Sequence, residues 1–420
     1  MNAGSVSEGT DGLAQERARL AQSLRASGRA GDVVSAAFLT VPRHLFLPQI
    51  EAAQAYRDEA ILVKSDAEGL PVSASSQPTM MAIMLEQLGL AAGQRVLEIG
   101  AGTGYNAALM AQLVGDSGSV VTIDVEPDLV AQARANLAAA GCAGVTVSCG
   151  DGADGVPDRA PYDRIIVTVG AWDLPTQWLA QLGVGGRILL PIAVRGIQLS
   201  VAFARSGAGA LVSTSVCRCS FIRMTGAAAG PESIVALGPQ PGLHALIADG
   251  PTLDADLLYD ALCGPATEAA TGLRVGSIAE LADLDLWLTL TEPDLTRLNL
   301  FGRHEGRASK DQRRIAALIP LGGHARTGRS GELAVAGLAM PSDLTEHGAT
   351  DATVNGYGPD GTALAAHLAE RAAVWDALGR PGADRLTLTA HPPGTLPPTP
   401  EGALVIARPN VTLVAGWPTA

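Results

Sequence analysis

Val96-Leu97-Glu98-Ile99-Gly100-Ala101-Gly102-Thr103-Gly104-Tyr105 is the stretch from which the first half of this chain is read. Val96, Leu97 and Ile99 make a short apolar run of the kind that forms a buried strand, and the run breaks into three glycines. Residues 106–113 are mostly good helix formers and follow at once. Glycines at such a turn let a ligand approach the backbone and leave the helix N-terminus free to face it. Asp124 stands twenty residues beyond Gly104, at the end of a second apolar run over 119–123. An α/β nucleotide-binding unit places there the carboxylate that accepts hydrogen bonds from ribose hydroxyls.

The choice of nucleotide turns on two side chains. The dinucleotide fingerprint Gly-x-Gly-x-x-Gly needs a small residue at 105, and Tyr105 is large, which disfavours NAD. Glu98 ahead of the first glycine, with the spacing Gly100-x-Gly102-x-Gly104, resembles the first motif of S-adenosylmethionine-dependent methyltransferases. That resemblance implies S-adenosyl-L-methionine as cofactor, with S-adenosyl-L-homocysteine as its product.

With 420 residues, two domains are expected. Hydrophobic residues make up 47% and aromatics only 4%, so Ala, Leu, Val and Ile must fill the cores. A formal charge of −13 with no basic run argues against a nucleic-acid partner. No 18-residue apolar span suggests a membrane helix, and residues 1–15 lack the basic-then-apolar order of a signal peptide, so a cytoplasmic protein is expected. The five cysteines, Cys142, Cys149, Cys217, Cys219 and Cys263, lack paired C-x-x-C spacing, and the histidines are scattered; neither a disulfide framework nor a metal site is expected.

Along the chain, helices are expected over 12–28 and 33–38, followed by an elbow at 41–48 bracketed by Pro42 and Pro48. A strand over 60–64 and a turn at 66–69 precede the serine cluster 73–76, where a hydroxyl could serve only to cap the helix 79–88. After the glycine turn, strands at 120–123, 145–148 and 164–168 and one starting at 186 alternate with helices at 129–140 and 174–181. This order predicts an α/β fold: a doubly wound, mostly parallel sheet of Rossmann-like type. Ligands then gather where strands end, at 100–104, Asp124, Asp151-Gly152 and 168–172. Residues 197–204 and 211–219 read as a closing antiparallel pair. The Ala-, Gly- and Pro-rich stretch 226–241 marks a boundary, giving a first domain over 1–230 and a C-terminal α+β domain over 240–420. In the latter we expect helices at 257–262, 278–283 and 362–378, and strands at 285–290, 332–338, 352–357, 385–390 and 403–415. A basic loop carries Arg303, Arg307, Lys310, Arg313 and Arg314.

Several ordered segments resemble one family, the protein-L-isoaspartate (D-aspartate) O-methyltransferases. They are Val41-Pro42-Arg43-His44-Leu45-Phe46-Leu47-Pro48, Ala55-Tyr56-Arg57-Asp58, Ser76-Gln77-Pro78, the glycine turn, Asp124, Gly150-Asp151-Gly152, the run Ala160 to Thr168, Gly185-Gly186-Arg187, Pro191 and the segment 221–225. The resemblance covers about residues 12–225. It implies Ser76 as the catalytic residue and Ser75, Glu98, Gly100, Ala101, Gly102, Gly104, Asp124, Val125, Asp151, Gly152, Thr168 and Thr225 as the cofactor site, with no metal. It implies a peptide or protein substrate carrying an aspartyl or isoaspartyl residue.

Three departures stand out. The stretch 61–75 is longer than the family's usual lead into its serine, Trp172-Asp173 replaces Ala-Pro, and the chain continues well past 225. These features resemble longer relatives that act in ribosomal peptide maturation, which implies a cyclised precursor peptide as substrate and an aspartimide or isoaspartate product. General repair of isoaspartyl residues is the alternative. A non-catalytic S-adenosylmethionine-binding protein and an NAD-linked oxidoreductase are the readings from other classes. The C-terminal domain is expected to recognise the substrate.

Overall fold

The computed structural model describes residues 4–206, 209–238, 243–247, 253–302, 323–327, 333–339, 349–395 and 399–418. Two helices, α1 (Gly4–Ala26) and α2 (Asp32–Thr40), lead into a hairpin of β1 (Ile61–Ser65) and β2 (Pro71–Ser75), and then into α3 (Pro78–Leu88). The alternating part follows: β3 (Arg95–Ile99), α4 (Tyr105–Val114), β4 (Ser119–Asp124), α5 (Pro127–Ala139), β5 (Thr146–Cys149), β6 (Tyr162–Val167), α6 (Thr176–Gln181) and β7 (Leu182–Val194). These five strands are parallel in the order β5-β4-β3-β6-β7. The chain leaves β3 towards β4 and later returns to β3's other side with β6. That reversal opens a crevice above the carboxyl end of β3, where such sheets bind their ligands.

Alternation of side chains along each strand builds a core on both faces. Val96, Val120, Ile166 and Leu189 meet the N-terminal helices. Leu97, Ile99, Ile165, Val167, Ile188 and Leu190 face the other way. The expected closing pair is present as β8 (Ile197–Arg205) and β9 (Leu211–Cys219), antiparallel to β7 and to each other.

Beyond residue 230 a second sheet of seven antiparallel strands forms from β10 (Ser233–Ala236), β11 (Leu243–Ile247), β12 (Thr267–Val275), β13 (Thr296–Gly302), β14 (Gly323–Thr327), β15 (Leu333–Leu338) and β16 (Thr350–Tyr357). Helices α7 (Ala255–Cys263), α8 (Ile278–Thr291) and α9 (Gly361–Ala377) accompany it. The chain then returns to the first sheet. Strand β17 (Thr387–His391) pairs with β9, as Thr389 with Val212 and Ala390 with Leu211, and β19 (Thr412–Gly416) and β18 (Leu404–Ala407) extend the sheet outward. The expected parallel strands are present, and the first sheet runs on beyond them: five parallel strands continued by five antiparallel ones. Strands β17, β18 and β19, which fall within 240–420, thus belong to the first sheet.

Residues 285–290 differ from expectation. The alternation Leu284-Asp285-Leu286-Trp287-Leu288-Thr289-Leu290 reads as a strand, yet the whole of Ile278–Thr291 is one helix. Its position explains the pattern. Leu286 and Leu290 pack into the core of the first sheet, while Leu281, Leu284, Trp287 and Leu288 pack under the second. A helix between two sheets is apolar all round, so its sequence loses the one-sided helical period. The serine cluster differs too, since residues up to Ser75 form β2. The basic loop at 303–314 lies outside the described residues.

Candidate active site

At the carboxyl end of β3 the backbone turns through Gly100 (φ 102°), Gly102 (φ 49°) and Gly104 (φ 85°), a left-handed path that other residues rarely take. Space is as restrictive as φ. A Cβ on Gly100 would lie 2.7 Å from Thr168 Oγ1, and one on Gly104 3.3 Å from the Ala133 carbonyl oxygen. The amides of Gly100 and Ala101 both donate to the Ile123 carbonyl, at 2.9 and 3.2 Å, which pins the turn to β4. Helix α4 starts at Tyr105 with no side-chain cap at Gly104; the Thr103 hydroxyl accepts from the Tyr105 amide at 3.4 Å, at the end of the helix that carries its positive dipole. Tyr105 itself is buried in an aromatic cluster with Phe38 and Phe46. Its size, which disfavours a dinucleotide in the sequence, serves the core between α4 and α2.

Asp124, half-buried at the end of β4, accepts from the Gly102 amide at 2.9 Å and from the Glu126 amide at 3.2 Å. The carboxylate thus bridges the glycine turn and the start of the next loop, with Val125 exposed beside it. Lys64 on β1 reaches Glu126 at 2.5 Å and Asp128 at 2.8 Å, tying the hairpin to this same edge. Asp151 accepts from Ala153 at 2.8 Å with one oxygen and from Ala227 at 2.8 Å with the other, joining the loop after β5 to the segment after β9. Gly152 beside it has no room for a Cβ, which would lie 2.6 Å from Ile99 Cγ2. Thr225 is exposed on the closing segment.

Three expected contact residues prove to be supports. Glu98 is fully buried beneath the turn, and its two oxygens accept from Thr122 Oγ1 at 2.7 Å and Asn106 Nδ2 at 2.8 Å. Its carboxylate braces β3, β4 and α4 and presents no surface to a ligand. Thr168 donates its hydroxyl to the Gly100 carbonyl at 2.8 Å, holding the turn from below. Ala101 points its methyl group into the helical core and offers the crevice only its backbone.

Burial pushes the Glu98 carboxyl up to about 7, with the Asp124 charge adding to the shift against its two donors. A carboxyl raised in this way makes folding disfavour its ionised form. The stability it contributes is therefore full below its ordinary value near 4.5, falls as pH rises towards 7, and is level above that. Glu98→Gln is expected to remove this slope. Urea midpoints of the two proteins at pH 5 and pH 8 check it: wild type should lose more between them than the variant.

Ser76 follows directly on β2, whose Ser73 Oγ lies 3.7 Å from the place a Gly102 Cβ would occupy; it is half-buried, and its hydroxyl makes no hydrogen bond among the described residues. It does not cap the following helix. Asp58 does: its carboxylate accepts from the Thr79 amide at 2.8 Å and the Thr79 hydroxyl at 2.7 Å. Ser75 is buried, its hydroxyl turned to Arg43. Arg43 is the residue that sequence reading left without a role. Its guanidinium is 0% exposed and donates to the carbonyls of Ala55 (2.9 Å), Arg57 (3.2 Å), Glu59 (3.4 Å), Ser75 (3.4 Å) and Ser76 (2.9 Å), and to the Ser75 hydroxyl (3.2 Å). His44 Nδ1 lies 2.7 Å from the Tyr56 hydroxyl, joining the same two segments. The signal was Arg43 itself, an arginine inside the short, mostly apolar segment bracketed by Pro42 and Pro48.

Asp124→Ala is expected to weaken S-adenosylhomocysteine binding by about 10- to 100-fold, because a charged acceptor for the ribose and the Gly102 anchor are lost together. Calorimetry checks this, and an unchanged dissociation constant would put the ribose elsewhere.

A switch-point crevice, a glycine cradle without space for side chains, an open helix N-terminus and an acidic residue closing the second strand define a Rossmann-like S-adenosylmethionine-dependent methyltransferase. The donors and the cradle fit that cofactor: the turn would receive its amino-acid part and Asp124 its ribose. Residues 15–229 match the family model described as protein-L-isoaspartate(D-aspartate) O-methyltransferase (PCMT). The chain belongs to this family of S-adenosylmethionine-dependent protein carboxyl methyltransferases.

The protein-L-isoaspartate O-methyltransferase of Thermotoga maritima is 42% identical over 172 residues, which cover 41% of this chain and 54% of that protein. The chain thus spans about half of that relative's length. The protein of the same description from Hyperthermus butylicus is 40% identical over 221 residues, covering 50% of this chain and 89% of the relative. Among solved structures, one described as a protein-L-isoaspartate O-methyltransferase aligns over 89% of this chain and 96% of its own, with 25% identity and a TM-score of 0.49. Among the described residues no helix is long and apolar enough to cross a membrane, and no cluster of side chains could hold a metal ion.

Proposed function

We propose that this chain methylates the free carboxylate of L-isoaspartyl residues in peptide or protein chains, the activity associated with repair of such residues. The observation that carries this reading is Ser76, a hydroxyl without a hydrogen bond among the described residues, its carbonyl held by the buried Arg43, just beyond the strand whose Ser73 approaches the glycine cradle. The accepting carboxylate is already ionised near neutral pH, so the chain needs no general base to activate it. Bound S-adenosylmethionine supplies an electrophilic methyl group. The protein's part is alignment and exclusion of water: the Ser76 hydroxyl donates to one carboxylate oxygen and leaves the other free to attack. Once the ester has formed, the next backbone nitrogen of the substrate attacks the ester carbonyl, methanol leaves, and a succinimide results without help from any enzyme group.

The family match and the named relatives support the isoaspartyl reading. A second reading is methylation of an ordinary aspartate in a cyclised precursor peptide. It draws support from Trp172-Asp173 and from the C-terminal strands, which lie against that dipeptide. Two peptides of one sequence, carrying isoaspartate or aspartate, separate these readings when given S-adenosylmethionine labelled in its methyl group. At least about tenfold faster labelling of the isoaspartyl peptide is expected. The reverse preference would favour the precursor reading, and no labelling of either would leave a cofactor-binding protein.

A further inference from the structure

We propose that Trp172 is a specificity-determining residue, a wall against which the substrate residues flanking the acceptor carboxylate pack, and that the C-terminal turn 408–411 is the device that positions it. This inference rests on the isoaspartyl reading of the site and adds the part of the chain that shapes its substrate side.

The loop after β6 flanks the glycine turn on one side, since Val169 Cγ1 lies 3.2 Å from the place a Gly100 Cβ would occupy. The hairpin that ends in Ser75 and Ser76 flanks it on the other, with Ser73 Oγ 3.7 Å from the corresponding point on Gly102. From that loop the backbone runs into a rigid bracket. The Gly170 amide donates to the Ile222 carbonyl at 2.7 Å, Ala171 to Pro191 at 2.7 Å, and Ala193 to Ala171 at 2.8 Å. Trp172 follows directly, half-buried at the ligand end of the sheet. A large aromatic side chain on a hydrogen-bonded backbone, three residues beyond the Val169 that touches the glycine turn, is the kind of surface that anchors a peptide.

What holds the indole comes from the far end of the chain. Arg408 stacks its guanidinium 4.9 Å from the ring centroid of Trp172 and donates to the Ala193 carbonyl at 2.6 Å. Asp173, only 5% exposed, accepts from Leu174 at 2.8 Å and from both the backbone and the side-chain nitrogens of Asn410, at 2.9 and 2.8 Å. The Arg408 amide closes the turn on Val411 at 2.9 Å. One four-residue turn therefore grips both residues that depart from the family's Ala-Pro. Gly230 approaches the base of the side chain so closely that a Cβ there would lie 2.7 Å from Trp172 Cβ. The indole is thus held by Arg408 of the C-terminal turn and crowded at its base by Gly230.

The test uses full-length protein and a short labelled isoaspartyl peptide. Trp172→Ala is expected to raise KM, and the peptide dissociation constant read by anisotropy with S-adenosylhomocysteine present, by about tenfold or more. S-adenosylhomocysteine affinity should stay within about twofold. Trp172→Phe should restore most of the peptide affinity, and Asn410→Ala, which removes the side-chain donor to Asp173 and leaves the backbone one, should raise KM about threefold with kcat little changed. Unchanged peptide affinity in Trp172→Ala would overturn the proposal. So would equal losses of peptide and cofactor affinity with a lower melting temperature, the mark of a structural role alone. If Trp172→Ala does not fold, an Asn410→Ala protein with wild-type KM and peptide affinity overturns it instead. Wild type that binds the peptide without methylating it would defeat the isoaspartyl reading, while the binding ratios would still decide the role of Trp172.

Discussion

Ser76→Ala is expected to lower kcat on an isoaspartyl peptide by about a hundredfold or more, since misaligned reactants of this kind lose that much rate. S-adenosylhomocysteine affinity should remain nearly unchanged, because the cradle is built from Gly100, Gly102, Gly104 and Asp124, none of which Ser76 contacts. The competing role for a serine ahead of a helix is to cap it, and loss of a cap costs about 1 kcal/mol of stability. Here Asp58 already accepts from both the amide and the hydroxyl of Thr79, so the melting temperature should hold. Single-turnover rates and thermal melts on the same preparation check both parts. A variant that melts early but turns over normally would return Ser76 to a structural role.

Arg43→Met is expected to be the most damaging single substitution near the site. The methionine keeps much of the volume but removes every donor, leaving the buried carbonyls of Ala55 and Ser75 and the part-buried ones of Arg57, Glu59 and Ser76 to find other partners. An unsatisfied buried acceptor costs about 1–3 kcal/mol, and with partial relaxation a total of about 3–5 kcal/mol is reasonable. The first transition in a urea titration should move down by that amount. Whatever folds should turn over poorly, because the Ser76 backbone is then held by little else. Arg43→Lys keeps the charge but loses the planar fork, which reaches several carbonyls at once, so it should fall between the two. A variant with a wild-type midpoint would mean that water replaces the guanidinium without cost. Burial already disfavours the charge, holding the Arg43 pKa below its ordinary value; the site tolerates that for the sake of these bonds.

Much of the candidate site's layout is legible in the sequence. The glycine turn, Asp124, Asp151 and the loop after β6 do meet at one end of the parallel strands, as strand–helix alternation requires. The individual roles were less legible. Glu98 and Thr168 stand in motif positions, yet each spends its polar atoms on the protein itself. A motif marks a place in the fold; which way a side chain turns there depends on the donors and acceptors around it.

What the sequence determined by itself is local: the break from strand to glycine turn to helix, the order of the βα units, and the serine and acidic positions at strand ends. These follow from backbone freedom, side-chain periodicity and short connections, all of which act within a few residues. Only the tertiary structure decided the rest. Arg43 became a buried tie because five carbonyls from separate segments converge on it. Residues 285–290 became helix because two sheets bury them on both sides. Strand β17 returned across a whole second sheet to pair Thr389 with Val212, bringing Arg408 and Asn410 to Trp172 and Asp173. Strand pairing is made by backbone groups that every residue carries, so the partner of an edge strand is chosen by the packing around it and not by its own letters.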